Sequence, residues 1–209
     1  MIGPGAALAV AGALLVGALA LAAWLGPGFL GVAVGYVALT VTYSLWLKQY
    51  ALIDTFAIAA GFVLRAVAGA VVLQVLISPW LLLCTLLGAL FVALAKRRHE
   101  LATLAAGAAA HRASLNALTV EFIDQLIIIM AASSIMAYSL YSLSERPGHP
   151  LLMLTIPLVI YGIFRYLYLV RIGGLGGSPE EVLVGDPPLL ATIALWAAVS
   201  IGILYLAPR

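Results

Sequence analysis

Residues 53–76 read IDTFAIAAGFVLRAVAGAVVLQVL. Apart from Asp54, Thr55, Arg65 and Gln74, every position is apolar or glycine. A helix of ~20 apolar residues crosses the hydrocarbon core of a bilayer, so this stretch is long enough to span. A strand of a membrane barrel would alternate polar and apolar residues. Here the apolar run is continuous, and helix is the reading.

Six further runs of the same kind flank it, at about 5–25, 28–47, 79–95, 118–142, 151–171 and 188–207. The whole chain of 209 residues is 65% hydrophobic and only 9% charged, with a mean hydropathy of +1.19. Soluble domains carry ~25% charged residues, and disorder needs the opposite composition. The expected fold is therefore all-α, one polytopic membrane helix bundle over 1–209 with seven transmembrane helices. The breaks carry their own chemistry. Gly26-Pro27-Gly28 is a tight turn, Ser78-Pro79 caps and starts the fourth helix, Arg146-Pro147-Gly148-His149-Pro150 closes the loop before the sixth, and Asp186-Pro187-Pro188 starts the seventh with Asp186 as N-cap. The first run lacks the basic n-region of a signal peptide, since no Lys or Arg precedes Lys48.

Basic residues orient the bundle. With seven spans, Lys48, Lys96, Arg97, Arg98, Arg112 and Arg171 fall on one side with the N-terminus, against Arg146 and Arg209 on the other. The richer side is predicted to be cytoplasmic. It holds the longer loops, about 96–117 and 172–187. In the second loop, Ser178, Pro179 and Glu181 suggest an N-cap, N1 and capping box for a short amphipathic helix over about 179–184. Trp24, Trp46 and Trp80 fall at helix ends, as interfacial aromatics do. One cysteine, Cys84, excludes an internal disulfide.

The charges inside or beside the spans carry the chemistry. Asp54 and Arg65 are eleven residues apart, close to three turns, and project from one helix face. Arg65 then lies ~16 Å beyond Asp54, where a cation costs at least ~2.5 kcal/mol. It is either a structural ion pair or a cavity wall that meets an anion. Tyr43 and Lys48 stand just before this helix, and Lys48 alone also suits an ordinary cytoplasmic anchor. Lys96-Arg97-Arg98-His99-Glu100 is a positive stop after the fourth span or a phosphate-binding cluster. Lys96 and Glu100 share a face if the helix continues. Glu121, Asp124 and Gln125 open the fifth helix. Glu121 and Asp124 complement the helix dipole or offer oxygen ligands to a divalent cation. Tyr161, Arg165 and Tyr168 form one stripe on the sixth helix. His99, His111 and His149 lack zinc-ligand spacing, and no G-x-x-x-x-G-K loop occurs. Together these residues describe a basic cavity with a few carboxylates, opening to the cytoplasm beside an apolar wall.

The blocks Tyr43-Ser44-Leu45-Trp46-Leu47-Lys48, Asp54 and Gly61-Phe62-Val63-Leu64-Arg65-Ala66-Val67-Ala68-Gly69-Ala70 resemble the UbiA superfamily of membrane prenyltransferases. Ser78-Pro79-Trp80-Leu81-Leu82-Leu83-Cys84-Thr85, Ala95-Lys96-Arg97-Arg98-His99-Glu100-Leu101, Tyr161-Gly162-Ile163-Phe164-Arg165-Tyr166-Leu167-Tyr168 and Gly177-Ser178-Pro179-Glu180-Glu181 look like its decaprenyl-phosphate phosphoribosyltransferase branch. The resemblance implies transfer of 5-phosphoribosyl from phosphoribosyl pyrophosphate to a polyprenyl phosphate, with loss of pyrophosphate, for cell-wall arabinan synthesis. It implies Mg²⁺ as cofactor, the bacterial cytoplasmic membrane as location, and no nucleic-acid partner.

On that likeness, Lys96, Arg97 and Arg98 are expected to hold donor phosphates, with Tyr43, Lys48 and Asp54 lining the donor site. Arg65 or Arg165 is expected to meet a phosphate deeper in the cavity, with Glu100 and Tyr161 orienting substrate. Metal candidates are Asp54, Glu121 and Asp124. The family's nine helices include a first N-D-x-x-D-x-x-x-D motif between the second and third. This chain has no such motif and begins where the third family helix begins, so the expectation is a fragment, a misassigned start or a lost activity. The alternatives are a UbiA-type enzyme prenylating an aromatic acceptor, or a non-catalytic membrane protein such as a transporter. The absence of an internal repeat counts against a transporter. Gly31-x-x-x-Gly35 permits close helix packing within one chain or between copies.

Overall fold

A computed structural model of the chain describes residues 3–105, 118–144 and 150–206. His111, Arg112, Arg146, His149 and Arg209 lie outside the described residues. The described residues are helical with no strand. The helices are α1 (Pro4–Leu25), α2 (Pro27–Leu45), α3 (Ile53–Leu73), α4 (Pro79–Ala105), α5 (Val120–Ser144), α6 (Ile156–Arg171), α7 (Pro179–Gly185) and α8 (Pro187–Leu206), with 3₁₀ turns at Leu47–Gln49 and Pro150–Thr155. Seven of them are long and apolar enough to cross a membrane, all but α7.

Local chemistry explains the starts. α1, α2, α4, α7 and α8 each begin on a proline, whose fixed φ and missing N–H suit the first helical turn. Gly26 joins α1 to α2 in one residue, at φ 122°, a value that side chains disfavour. Asp186 caps α8 as expected, its Oδ1 accepting from Leu189 N–H at 2.9 Å. The Ser178 capping box does not form: its side chain makes no cap bond, and its backbone carbonyl receives Glu181 and Val182 N–H instead.

Four boundaries differ from the sequence expectation. α4 does not stop at 95 but runs to Ala105, so Lys96–Glu100 are helical; the rest of the loop expected at 96–117 lies, from 106, outside the described residues. Nothing breaks the helix there, since Lys, Arg and Glu are good helix formers. α2 ends at Leu45, and Lys48 sits in the 3₁₀ turn that follows. α3 ends at Leu73 because Gln74 adopts the left-handed conformation, its N–H closing on Ala70 and Val71 carbonyls. The first turns expected of the sixth span are 3₁₀, and α6 begins only at Ile156.

The spans pack in sequence, α1 on α2, α2 on α3, α3 on α4, α4 on α5 and α5 on α6, with α8 against α6. The buried apolar core gathers Phe91, Leu94 and Ala95 of α4, Ile123, Ile127 and Ala131 of α5, Tyr166, Leu169 and Val170 of α6, Val182 of α7 and Leu189 of α8. α2 has no fully buried residue, and α1 has only Ala22. Helices this apolar and this exposed present their outer faces to lipid. At the opposite end from the charges, Trp196 Nε1–H donates to Tyr138 Oη at 2.7 Å, and that hydroxyl stands 2.6 Å from Thr155 Oγ1. This ties α8 and α5 to the 3₁₀ turn before α6.

Candidate functional site

The start of α3, the late turns of α4, the start of α5, the end of α6 and the start of α8 meet at one end of the bundle, joined by ion pairs. Asp54, in the first turn of α3, is only 2% exposed. Its Oδ2 lies 2.7 Å from Arg97 Nε. The two atoms are not aligned for a hydrogen bond and neither has another partner among the described residues, so the attraction is chiefly that of two close charges. Arg97 also donates to Glu100, one turn on. Arg98 Nε donates to Asp124 Oδ1 at 2.7 Å, and Arg171 Nη2 approaches the same oxygen at 3.3 Å. His99 Nδ1 is 3.1 Å from Gly174 O. The following glycines fold closely over that ring: a Cβ on Gly177 would stand 2.8 Å from His99 Cδ2.

Consecutive helical residues are ~100° apart around the axis, and the basic run is therefore spread over three directions. Arg97 points into the bundle, Arg98 toward α5 and α6, and Lys96 outward and exposed. Lys48 is exposed as well. Tyr43, half-buried, lines a cavity of about 180 Å³ between α2 and α3, with Tyr36, Thr40, Ala57, Gly61 and Arg65. Arg65 donates to Tyr36 Oη, and its guanidinium carbon lies 5.1 Å from the ring centres of both Tyr36 and Phe62. Cations favour such ring faces. Tyr36 was not singled out from the sequence. The signal was there, since Tyr36 and Tyr43 are seven residues apart and share a helix face.

Arg165 makes a two-pronged pair with Asp186, Nε to Oδ1 at 3.1 Å and Nη2 to Oδ2 at 2.8 Å. Its guanidinium also lies 5.2 Å from the Tyr168 ring centre. Tyr161 of the same stripe is exposed. The hydrogen bond from Arg165 holds the Asp186 carboxyl below the usual carboxylate range; Leu189 N–H adds to this, and partial burial opposes it. Sequence reading saw Asp186 only as a cap.

The carboxylates do not assemble a metal site. Among the described residues no group of three His, Cys, Asp or Glu is placed to hold an ion. Asp54 and Asp124 already face arginines, and Glu121 is exposed. These residues, as they are paired here, do not fit Mg²⁺.

Among the described residues, seven apolar helices with a web of arginine–carboxylate pairs at one end, and Arg65 deeper in the spans facing aromatic rings, define a polytopic membrane protein with a one-sided polar site. The chain belongs to the UbiA prenyltransferase family, whose profile matches residues 1–175. It is 30% identical over 199 residues to the decaprenyl-phosphate phosphoribosyltransferase of Mycolicibacterium smegmatis, covering 91% of this chain and 63% of that protein. The enzyme of that name from Mycobacterium tuberculosis is 30% identical over 194 residues, 91% of this chain and 64% of the relative. That from Corynebacterium glutamicum is 31% identical over 180 residues, 83% and 53%. The chain thus spans less than two thirds of the length of these relatives.

Proposed function

We propose that the protein takes part in transferring 5-phosphoribosyl from phosphoribosyl pyrophosphate to a polyprenyl phosphate, as a multi-pass protein of a bacterial cytoplasmic membrane with its polar end on the cytoplasmic side. The observation that carries this reading is the co-location, at one end of the bundle, of the basic residues within a chain 30% identical to enzymes of that name over 91% of its length. In the reaction a phosphate oxygen of the lipid supplies the electron pair that forms a bond to the anomeric carbon. The bond from that carbon to pyrophosphate breaks, and pyrophosphate leaves with its electrons. Negative charge grows on the leaving group, where preorganised cations stabilise it.

Lys96 and Lys48, exposed and without a carboxylate partner among the described residues, take donor phosphate oxygens. Arg98 keeps guanidinium donors beyond its bonds to Asp124 and the Val170 carbonyl for a phosphate oxygen on its own side of α4. Arg97 holds Asp54 and Glu100 in place, and Glu100, the more exposed of the two carboxylates, accepts from a ribose hydroxyl. Tyr43 lines the path between the donor site and the deeper cavity, while a phosphate deeper in the spans meets Arg65. Tyr161 flanks Arg165 one turn away.

The test uses membranes carrying this chain, alone and joined to the reading frame upstream of Met1. They receive labelled phosphoribosyl pyrophosphate, decaprenyl phosphate and Mg²⁺. Label in the lipid phase with either form supports the reading. Folded protein with no lipid label in either form overturns it, in favour of an aromatic acceptor or a non-catalytic role.

A further inference from the structure

Arg97, Arg98, Arg165 and Arg171 each lie within 3.3 Å of a carboxylate oxygen. Arg65 has no carboxylate partner among the described residues. Its neighbours are the Tyr36 hydroxyl and two aromatic rings, which are electron-rich but carry no charge. An exposed guanidinium is left inside a span with an unneutralised charge.

Two hollows meet at this residue. The cavity of about 180 Å³ runs from Arg65 and Tyr36 back along α2 and α3, past Thr40 and Ala57 to Tyr43, toward the charged end. A second, of about 470 Å³, shares the Arg65 and Tyr36 walls and runs the other way. It lies between the late turns of α1, the early turns of α2 and the late turns of α3, and is lined by apolar residues such as Leu19, Phe29, Val32 and Ala68. The junction is a cation with a path on one side that carries the hydroxyls of Tyr36, Thr40 and Tyr43 among apolar residues, and a groove on the other that apart from Arg65 and Tyr36 is wholly apolar, which is the outline of an amphiphile with an anionic head and a long hydrocarbon tail.

We propose that Arg65 and Tyr36 seat the phosphate of the polyprenyl phosphate acceptor, with its chain lying in the groove between α1, α2 and α3; this rests on the phosphoribosyl-transfer reading. A monoester phosphate offers the guanidinium fork two oxygens at once, and Tyr36 donates to a third. The head then faces Tyr43 and the donor site, and the tail points away from it. Arg165 is not the seat, because Asp186 occupies both prongs of its guanidinium.

Retention of radiolabelled decaprenyl phosphate, decaprenol and phosphatidylglycerol by the purified full chain in nanodiscs tests this without turnover. Arg65→Ala should weaken decaprenyl phosphate retention tenfold or more and leave decaprenol retention unchanged. Tyr36→Phe, which removes one hydroxyl, should weaken the phosphate in the same direction but less. Ala68→Phe, which fills the groove, should weaken both polyprenyl ligands. Unchanged decaprenyl phosphate retention in folded Arg65→Ala and Tyr36→Phe overturns the seat, as does equal, Arg65-dependent retention of phosphatidylglycerol. If Arg65-dependent binding holds while no label transfers in the membrane assay, the seat stands and the reaction reading falls.

Discussion

Arg97 Nε lies 2.7 Å from Asp54 Oδ2, with both side chains at most 3% exposed. The middle cation of Lys96-Arg97-Arg98 therefore serves the α3–α4 contact from inside the bundle. Removing one partner of such a pair strands a buried charge, which costs about 3–5 kcal/mol. Arg97→Ala and Asp54→Ala should each lower stability by that amount in detergent, and the double variant by less than their sum. Thermal unfolding of the three variants checks this; additive losses would show that the two residues do not act together.

Lys96 contrasts with its neighbour. It is exposed, and surface substitutions away from special features change stability by about 0.5 kcal/mol or less. Lys96→Ala should unfold with the wild type and raise KM for phosphoribosyl pyrophosphate several-fold. An unchanged KM would remove Lys96 from the donor site.

The Arg165–Asp186 pair makes stability depend on pH. The folded Asp186 carboxyl is held below its ordinary range, so it binds its proton less readily folded than unfolded. Its contribution is fully present above the unfolded value and is lost as pH falls through the depressed folded value. In Asp186→Asn that part of the acid-induced loss should vanish. Unfolding midpoints measured from neutral pH down through the carboxylate range, for both proteins, check the difference.

Gln74 ends α3 at φ 53° and is exposed. Glycine adopts this conformation without the Cβ penalty. Gln74→Gly should stabilise the protein by up to about 1 kcal/mol, seen as a raised unfolding midpoint with transfer activity unaltered.

The hydroxyl and indole chain at the far end is worth a separate test. Tyr138→Phe leaves Trp196 Nε1–H and Thr155 Oγ1 without their shared partner. An unsatisfied buried group costs about 1–3 kcal/mol, and the loss should appear in unfolding while substrate retention at the charged end is unchanged.

The seven spans are legible in the residue order alone, because each is a local matter of apolar run length against bilayer thickness; so are most helix starts, because proline and glycine act on their own backbone. The residue order also located the charged residues and, by resemblance, the family. Which charges meet is settled by packing in three dimensions. Asp186 lies 21 residues from Arg165, Asp124 lies 26 from Arg98, and Gly174 lies 75 from His99. Such pairings depend on how each helix is rotated against its neighbour, and no local pattern encodes that rotation. The same rotation turned three adjacent cations in three directions, and it left Arg65 facing Tyr36 and Phe62, where two hollows join.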